Sequence, residues 1–283
     1  MTITAKIIED SISDQGIRLT TLQLRYPRFI HSEVMTHRVF SRNASSSRAI
    51  PVKKLISDII EDTAMPIHWG KNQPGMQANE EHYDLVKISD SESLSREDAW
   101  LKARDSAVEI AVHFMNAGYH KQIVNRILEP FSHISVVCTA TDFNNFFALR
   151  SHKDAQPEIK CLSDRMKEAL EISTPTFLKN GEWHLPYVLE HEKDFSLDIK
   201  RKISVARCAR VSYLKHDGTK PDINKDVELH DTLVVSTPLH ASPAEHQATP
   251  DIKLNSGWEN PDKHGNLRGY IQYRKTLPFE YVA

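Results

Sequence analysis

The chain has 283 residues, 40% of them hydrophobic and 26% charged, with a formal net charge of -2. This is ordinary globular composition, long enough to bury a core in one large domain or two small ones. The near-neutral total excludes the global basic field of a nucleic-acid-binding protein, so local basic clusters carry the information.

The run A-K-I-I-E-D-S-I-S (5–13) and the alternating run I-R-L-T-T-L-Q-L-R-Y (17–26) predict two strands joined at Asp14-Gln15-Gly16, with a phase slip at the paired threonines. The segment F-I-H-S-E-V-M-T-H-R-V-F-S (29–41) predicts a helix with Phe29, Val34, His37 and Phe40 near one face. Residues 66–90 hold Pro66, Gly70, Pro74 and Gly75 amid polar residues and predict a loop that closes over something. A long helix follows, capped by Ser95 with Asp98 at its third position. Trp100, Ala103, Ala107, Ile110 and Phe114 form its core face, and Gly118 ends it.

The segment 120–130 predicts a shorter helix stopped by Pro130, and H-I-S-V-V-C-T-A-T (133–141) fits a strand or a buried helical turn. Residues 142–150 and 155–173 predict helices, the second with Ile159, Leu162, Met166 and Leu170 on one face. A loop around Pro175 and Gly181 leads to 196–214, and the end of the chain, 267–282, predicts a strand. Neither repeat nor linker breaks the chain. A single α/β (mixed α+β) domain over residues 1–283 is expected, with a central sheet and long helices.

One stretch carries an unusual load of donors. Met35–Pro51, M-T-H-R-V-F-S-R-N-A-S-S-S-R-A-I-P, packs three arginines, one histidine, one asparagine and four serines into seventeen residues. Guanidinium forks, hydroxyls and turn amides together make an anion cradle. A solvated, serine-rich surface loop is the alternative reading. The usual phosphate motifs are absent: there is no GxxxxGK[ST] and no Rossmann GxGxxG. GxSxG and HExxH are missing too. Cys138, Cys161 and Cys208 form no CxxC pair, which excludes a zinc ribbon or redox dithiol and fits free thiols in a reducing cytosol. No metal site is expected. No apolar run approaches the ~20 residues that span a bilayer, and the start shows no signal pattern. A cytoplasmic, soluble protein with no membrane or nucleic-acid partner is expected.

The segment H-R-V-F-S-R-N-A-S-S-S-R resembles the R-H-R-x-x-S-x-N-E-x-S-x-R signature of the flavin-dependent thymidylate synthases. His37, Arg38, Ser41, Asn43, Ser46 and Arg48 fall on matching positions, while Thr36 and Ala44 replace the first Arg and the Glu. A second segment, T-A-T-D-F-N-N-F-F-A-L-R-S-H-K-D-A-Q-P-E-I, is similar to the family's N-x-R-x-x-x-N-F-x-x-x-R-x-D-x-H-A-Q-x-E-I. Asn145, Arg150, Ala155, Gln156, Glu158 and Ile159 match; Thr139 and Asp154 depart. C-A-R-V-S-Y (208–213) and L-H-A-S-P-A-E-H (239–246) resemble elements that open the family's chain. Here they lie near the C-terminus, so a circular permutation is expected, with the family's N-terminal elements at about residues 203–250.

The resemblance implies methylation of dUMP at carbon 5 to give dTMP. Methylenetetrahydrofolate is the one-carbon donor, FAD the bound cofactor and NADPH its reductant, in a homotetramer with shared active sites. It implies that Arg150 polarises uracil and that Ser46, Ser47, Arg48 and Arg126 hold the nucleotide. His37, Arg38, Asn43 and Asn145 would meet the flavin, and His246 would lie against the isoalloxazine and the folate. Duller roles exist: Arg150 with Asp154 is also an i,i+4 ion pair, and Glu158 reads as structural. Replacements at Thr36, Ala44, Ala49, Thr139 and Asp154 leave two alternatives in play. One is another C5 modification, such as hydroxymethylation; the other is a non-catalytic nucleotide- or flavin-binding homologue.

Overall fold

The computed structural model describes residues 3–213, 219–220, 222–235, 239–278 and 280. Two ten-residue strands, β1 (Thr4–Ser13) and β2 (Arg18–Pro27), form the expected hairpin, and Gly16 turns it with φ +72°. The donor-rich stretch supplies β3 (Ser41–Ala44). The ambiguous run is a strand, β4 (His133–Ala140), and β5 (Thr176–Leu178) completes the sheet. The strand order is β3-β4-β2-β1-β5. All pairs are antiparallel except β1 with β5, so the sheet is mixed and its two edges, β3 and β5, do not pair.

The apparent phase slip in β2 has a physical cause. Leu22, Leu24 and Tyr26 point to one face, where they pack with Val136, Phe146, Ile159 and Met166. Leu19 points to the other face and packs with Ala248 and Tyr270. Both faces are covered, so β2 is apolar in both phases. The irregularity lies in β1, where the pairing skips between Ile7 and Glu9.

The helices are α1 (Val52–Glu61), α2 (Arg96–Asn116), α3 (Lys121–Leu128), α4 (Asn144–Arg150), α5 (Pro157–Ile172), α6 (Leu197–Arg210) and α7 (Ile223–Val235). Ser95 caps α2 by accepting from the Asp98 amide at 3.0 Å. Its buried stripe runs through Trp100, Ala107, Ala111 and Phe114, and not through the expected Ala103 and Ile110, which are exposed. On the first face of the sheet, α5 buries Ile159, Leu162 and Met166 against β1 and β2. On the second face lie Tyr187, Cys208 and Val211, against Val137.

Two expected elements are shorter than the sequence suggests. The helix expected over 29–41 is a single turn, His31–Val34. The Thr36 hydroxyl donates to the Glu33 carbonyl at 2.7 Å and Arg42 to the Val34 carbonyl at 2.9 Å, which takes up acceptors the next turn needs. The final strand is only Tyr270–Gln272, followed by a 3-10 turn over Tyr273–Thr276; Phe279 and residues 281–283 lie outside the described residues.

Candidate active site

Strand pairing brings the two donor-bearing segments together. Ser41 and Asn43 of β3 sit opposite Thr139 and Val137 of β4. The turn before β3 and the end of α4 then meet at Arg150. Its Nε donates to His37 Nε2 at 2.9 Å and its Nη2 to Thr36 Oγ1 at 3.4 Å. His37 is nearly buried, edge-on to Phe146 at 4.8 Å. Burial, then the charges of Arg150 and Arg42, hold its pKa below the ordinary value. A neutral imidazole can accept from a guanidinium, so His37 orients Arg150 without repelling it. A guanidinium has five N–H donors; two are used among the described residues, and three remain.

Arg150 lines a cleft of about 1110 Å³. The 66–79 segment lines it too, with His68, Met76 and Gln77, as do Trp100 and Phe29. The loop expected to close over something thus forms a wall. It is tied down at two points. Glu158, buried at the first turn of α5, accepts from the Ile67 amide at 2.7 Å, and Gln77 donates to the Asp154 carbonyl at 2.9 Å. Glu158 is a tether, in line with its structural reading. Asp154 lies 3.5 Å from His152 and has no ion pair with Arg150 among the described residues.

The serine cluster forms a second group. Ser46 Oγ accepts from the Arg48 amide at 3.3 Å, closing a turn. Ser47 is buried, and its hydroxyl donates to Glu129 Oε1 at 2.6 Å. Arg126 donates to Glu129 at 3.3 Å, and Arg28 pairs with the same carboxylate at 3.1 Å. Two of the residues expected to grip phosphate, Ser47 and Arg126, therefore hold an internal carboxylate. Arg38 and Arg48 are exposed, and their guanidinium groups make no hydrogen bond or ion pair among the described residues. Asn145 is exposed on α4.

The third group is His246. It was expected against a flavin and a folate, but its ring is fully buried, with Nδ1 2.8 Å from Thr139 Oγ1 and Nε2 3.0 Å from Asn43 Oδ1. The reason is the covering of the second sheet face: the 3-10 turn Ser242–Glu245 lies over β3, and Ala248, two residues past the ring, packs on Leu19 of β2. An enclosed ring presents no face to a ligand; its route outward runs through Asn43. Within one chain, then, His37 and Arg150 meet, Asn43 and His246 meet, and Ser47 and Arg126 meet at Glu129. The three groups do not share the Arg150 cleft.

Sequence reasoning missed two residues. Arg207, in the C-A-R-V-S-Y region, is buried and bonds Glu192 at 2.6 and 2.7 Å and Asp226 at 3.0 Å. His184 is fully buried between Ser11 and Thr21. No motif marks either; the one signal was a charged or polar residue inside an apolar run.

The family model for thymidylate synthase complementing protein matches residues 19–176, more than half of the 283-residue chain. The chain belongs to that family. No curated protein sequence matches it. Among solved structures similar to this family member is a UMP/dUMP methylase, PolB, from Streptomyces cacaoi, bound with 5-Br dUMP. It has 16% identity and a TM-score of 0.44, over 60% of this chain and 90% of that one. Another is the flavin dependent thymidylate synthase ThyX from Helicobacter pylori, complexed with FAD and dUMP. It has 16% identity and a TM-score of 0.36, over 54% of this chain and 67% of that one. No helix among the described residues is long and apolar enough to cross a membrane.

Proposed function

We propose that this family member methylates dUMP at carbon 5 to give dTMP, with methylenetetrahydrofolate as one-carbon donor and NADPH as reductant of a bound FAD. One observation carries the reading: Arg150 stands in the cleft wall with three N–H groups unspent, held by a neutral His37 from the other motif. Carbon 5 of uracil is a weak nucleophile. A fixed guanidinium that stabilises negative charge on the uracil oxygens makes it a better one. Fixing the fork beforehand avoids reorganisation during the reaction, and His37 and Thr36 supply that fixing.

The donor set fits a flavin dinucleotide. Arg38 is an exposed guanidinium with no hydrogen bond or ion pair among the described residues, suited to a pyrophosphate; Asn145 is an exposed amide on α4, and Asn43 is half-buried on β3. When bound and reduced by NADPH, FAD would supply the hydride that completes the methyl group. Arg48 holds the dUMP phosphate with Ser46; Ser47 and Arg126 join them when Glu129 yields its place. The three groups do not share one pocket in a single chain, which supports a homotetramer with shared active sites. Apolar side chains exposed near them, Met35 at 42%, Val39 at 54% and Leu149 at 55%, fit subunit contacts.

We also read residues 1–283 as one domain with the family's segments in rotated order. What supports this is that Asn43, from the arginine signature, and His246, from S-P-A-E-H, are hydrogen-bonded although the chain separates them by most of its length. The test of the function is the mass of the product after incubation with dUMP, methylenetetrahydrofolate, FAD and NADPH. A methylated nucleotide is expected. A hydroxymethylated product would move the reading to the other C5 chemistry, and no product, with FAD bound, to a non-catalytic homologue.

A further inference from the structure

The second face of the sheet holds a continuous line of hydrogen bonds that the proposed reaction does not use. In a strand, residues two apart share a face. Strand register puts Ser11, Thr21, Thr139 and Asn43 on the same face, because Ser11 pairs with Leu19, Thr21 with Thr139, and Asn43 with Val137. Two histidines from the C-terminal half bridge them. Ser11 Oγ lies 2.8 Å from His184 Nδ1, and His184 Nε2 lies 2.8 Å from Thr21 Oγ1. The two threonine hydroxyls are 2.7 Å apart, and Thr139 Oγ1 is 2.8 Å from His246 Nδ1. His246 Nε2 is 3.0 Å from Asn43 Oδ1, and Asn43 Nδ2 points on to Ser242 Oγ at 3.3 Å.

Each hydroxyl has one proton, and each neutral imidazole has one N–H and one bare nitrogen. Burial drives both rings to the neutral form, with pKa values down to about 3. The direction of every link is then tied to the next. If His246 Nε2–H donates to Asn43 Oδ1, its Nδ1 must accept from Thr139. Thr139 must in turn accept from Thr21, Thr21 from His184 Nε2–H, and His184 Nδ1 from Ser11. The reverse direction satisfies the same links only if the Asn43 amide is turned over. The two tautomers and the amide orientation are one variable.

We propose that His184 is a positioning residue: through Thr21 and Thr139 it sets the tautomer of His246 and so makes Asn43 turn its NH₂ group, a donor, away from the ring and toward Ser242. The consequence for a ligand, a carbonyl or ring-nitrogen acceptor lying over Asn43, rests on the proposed flavin contact. The coupling itself rests on the geometry alone.

Two-bond proton–nitrogen NMR of protein with isotope-labelled histidines reads each tautomer. In the wild type His184 and His246 are expected to share the Nε2–H tautomer. In His184→Leu the single His246 signature should give way to a mixture of both tautomers. His184→Gln, whose amide still donates to Thr21, should restore it. Thr21→Val, nearly isosteric, interrupts the line without opening a cavity and should give the same mixture, even where His184→Leu does not fold. Opposite tautomers in the wild type overturn the proposal, as does an unchanged His246 signature in Thr21→Val. An FAD titration of the same proteins separates the two ideas. Coupled tautomers with no FAD binding to the wild type leave the positioning role intact and remove the flavin reading. FAD binding with uncoupled tautomers does the opposite.

Discussion

Arg150 sits in a motif segment and Arg207 just before one, and the structure gives them opposite surroundings. Arg207 is enclosed, 2% exposed, and its guanidinium is spent on Glu192, Asp226 and the Tyr187 carbonyl. Arg150 is half-buried at a cleft wall, with two contacts to uncharged partners and three N–H groups left over. A saturated charge far from water holds structure. An unsaturated one, fixed by a neutral neighbour and facing open space, is available to a ligand. The difference teaches that an arginine in or beside a motif takes its role from its partners and not from its place in the sequence.

The largest expected effect follows from the saturated site. Arg207→Leu leaves the Glu192 carboxylate enclosed without its cation, and Asp226 with Arg210 alone. Breaking a buried pair from one side typically costs about 3–5 kcal/mol, so the variant should be strongly destabilised in a urea or thermal melt. A loss below about 1 kcal/mol would show that the cluster is not sealed from water. Acid acts on the same cluster. Burial pushes the Glu192 pKa up, but hydrogen bonds from Arg207 and the Leu189 amide outweigh it and hold it below the ordinary carboxylate value. A lowered folded pKa means the contribution is complete above the unfolded pKa and is lost as pH falls through the folded one. Stability should therefore drop on acidification, and less so in Arg207→Leu, where the reason for the lowered pKa is gone.

Arg150→Ala is the counterpart. Removing one preorganised donor to a developing anion typically costs about 2.7–4 kcal/mol of barrier, roughly a hundred- to a thousandfold in turnover. The melting curve should barely move, because the side chain is partly exposed and its partners are uncharged. Single-turnover flavin oxidation with dUMP reads the rate, and a dUMP titration reads binding, which should suffer less. Arg150→Lys keeps the charge but has no Nε to reach His37, so it should be impaired as well. Normal turnover in Arg150→Ala would move the ring-polarising role elsewhere.

How much of this was legible in the sequence depends on the kind of signal. The β1–β2 hairpin, the Ser95-capped helix and the α5 stripe of Ile159, Leu162 and Met166 follow from periodicity and capping chemistry. The meeting of Arg150 with His37 did not follow from either, because strand pairing across ninety-odd residues of chain makes it. The end of the helix after Val34 escaped notice because a threonine hydroxyl and an arginine from β3 compete for its carbonyls. His184 and Arg207 were invisible because a polar residue's burial is decided by what later covers it. His246 was picked for its frame, S-P-A-E-H, yet that frame is what buries it.

Next in size are the exposed arginines. Arg38→Ala should weaken FAD retention, and Arg48→Ala should weaken dUMP binding, each by about 1.5–3 kcal/mol, the range for a hydrogen bond to a charged group. A phosphate grip acts on ground and transition states alike, so Arg48→Ala should raise KM more than it lowers kcat. Neither substitution should shift the melt, since neither side chain has a partner to lose among the described residues. A destabilised Arg48→Ala would place this arginine with Arg207 and not with Arg150.

The smallest effect is expected at the cysteines, and it bears on the chemistry most directly. If a guanidinium manages the charge on uracil, no thiolate needs to add to the ring. A nucleophilic cysteine is marked by a lowered pKa and an open approach. Burial pushes the Cys138 thiol up to about 12 and raises Cys208 further still, both with no exposure to speak of. Cys161 is half-buried on α5, and burial raises its pKa too, against the smaller opposing pull of Arg165. Cys161→Ser should therefore turn over at the wild-type rate. Thiol alkylation of the folded protein should be slow at Cys161 and negligible at Cys138 and Cys208. A Cys161→Ser variant that folds, binds dUMP and loses turnover would put a thiolate back into the reaction and take the central task away from Arg150.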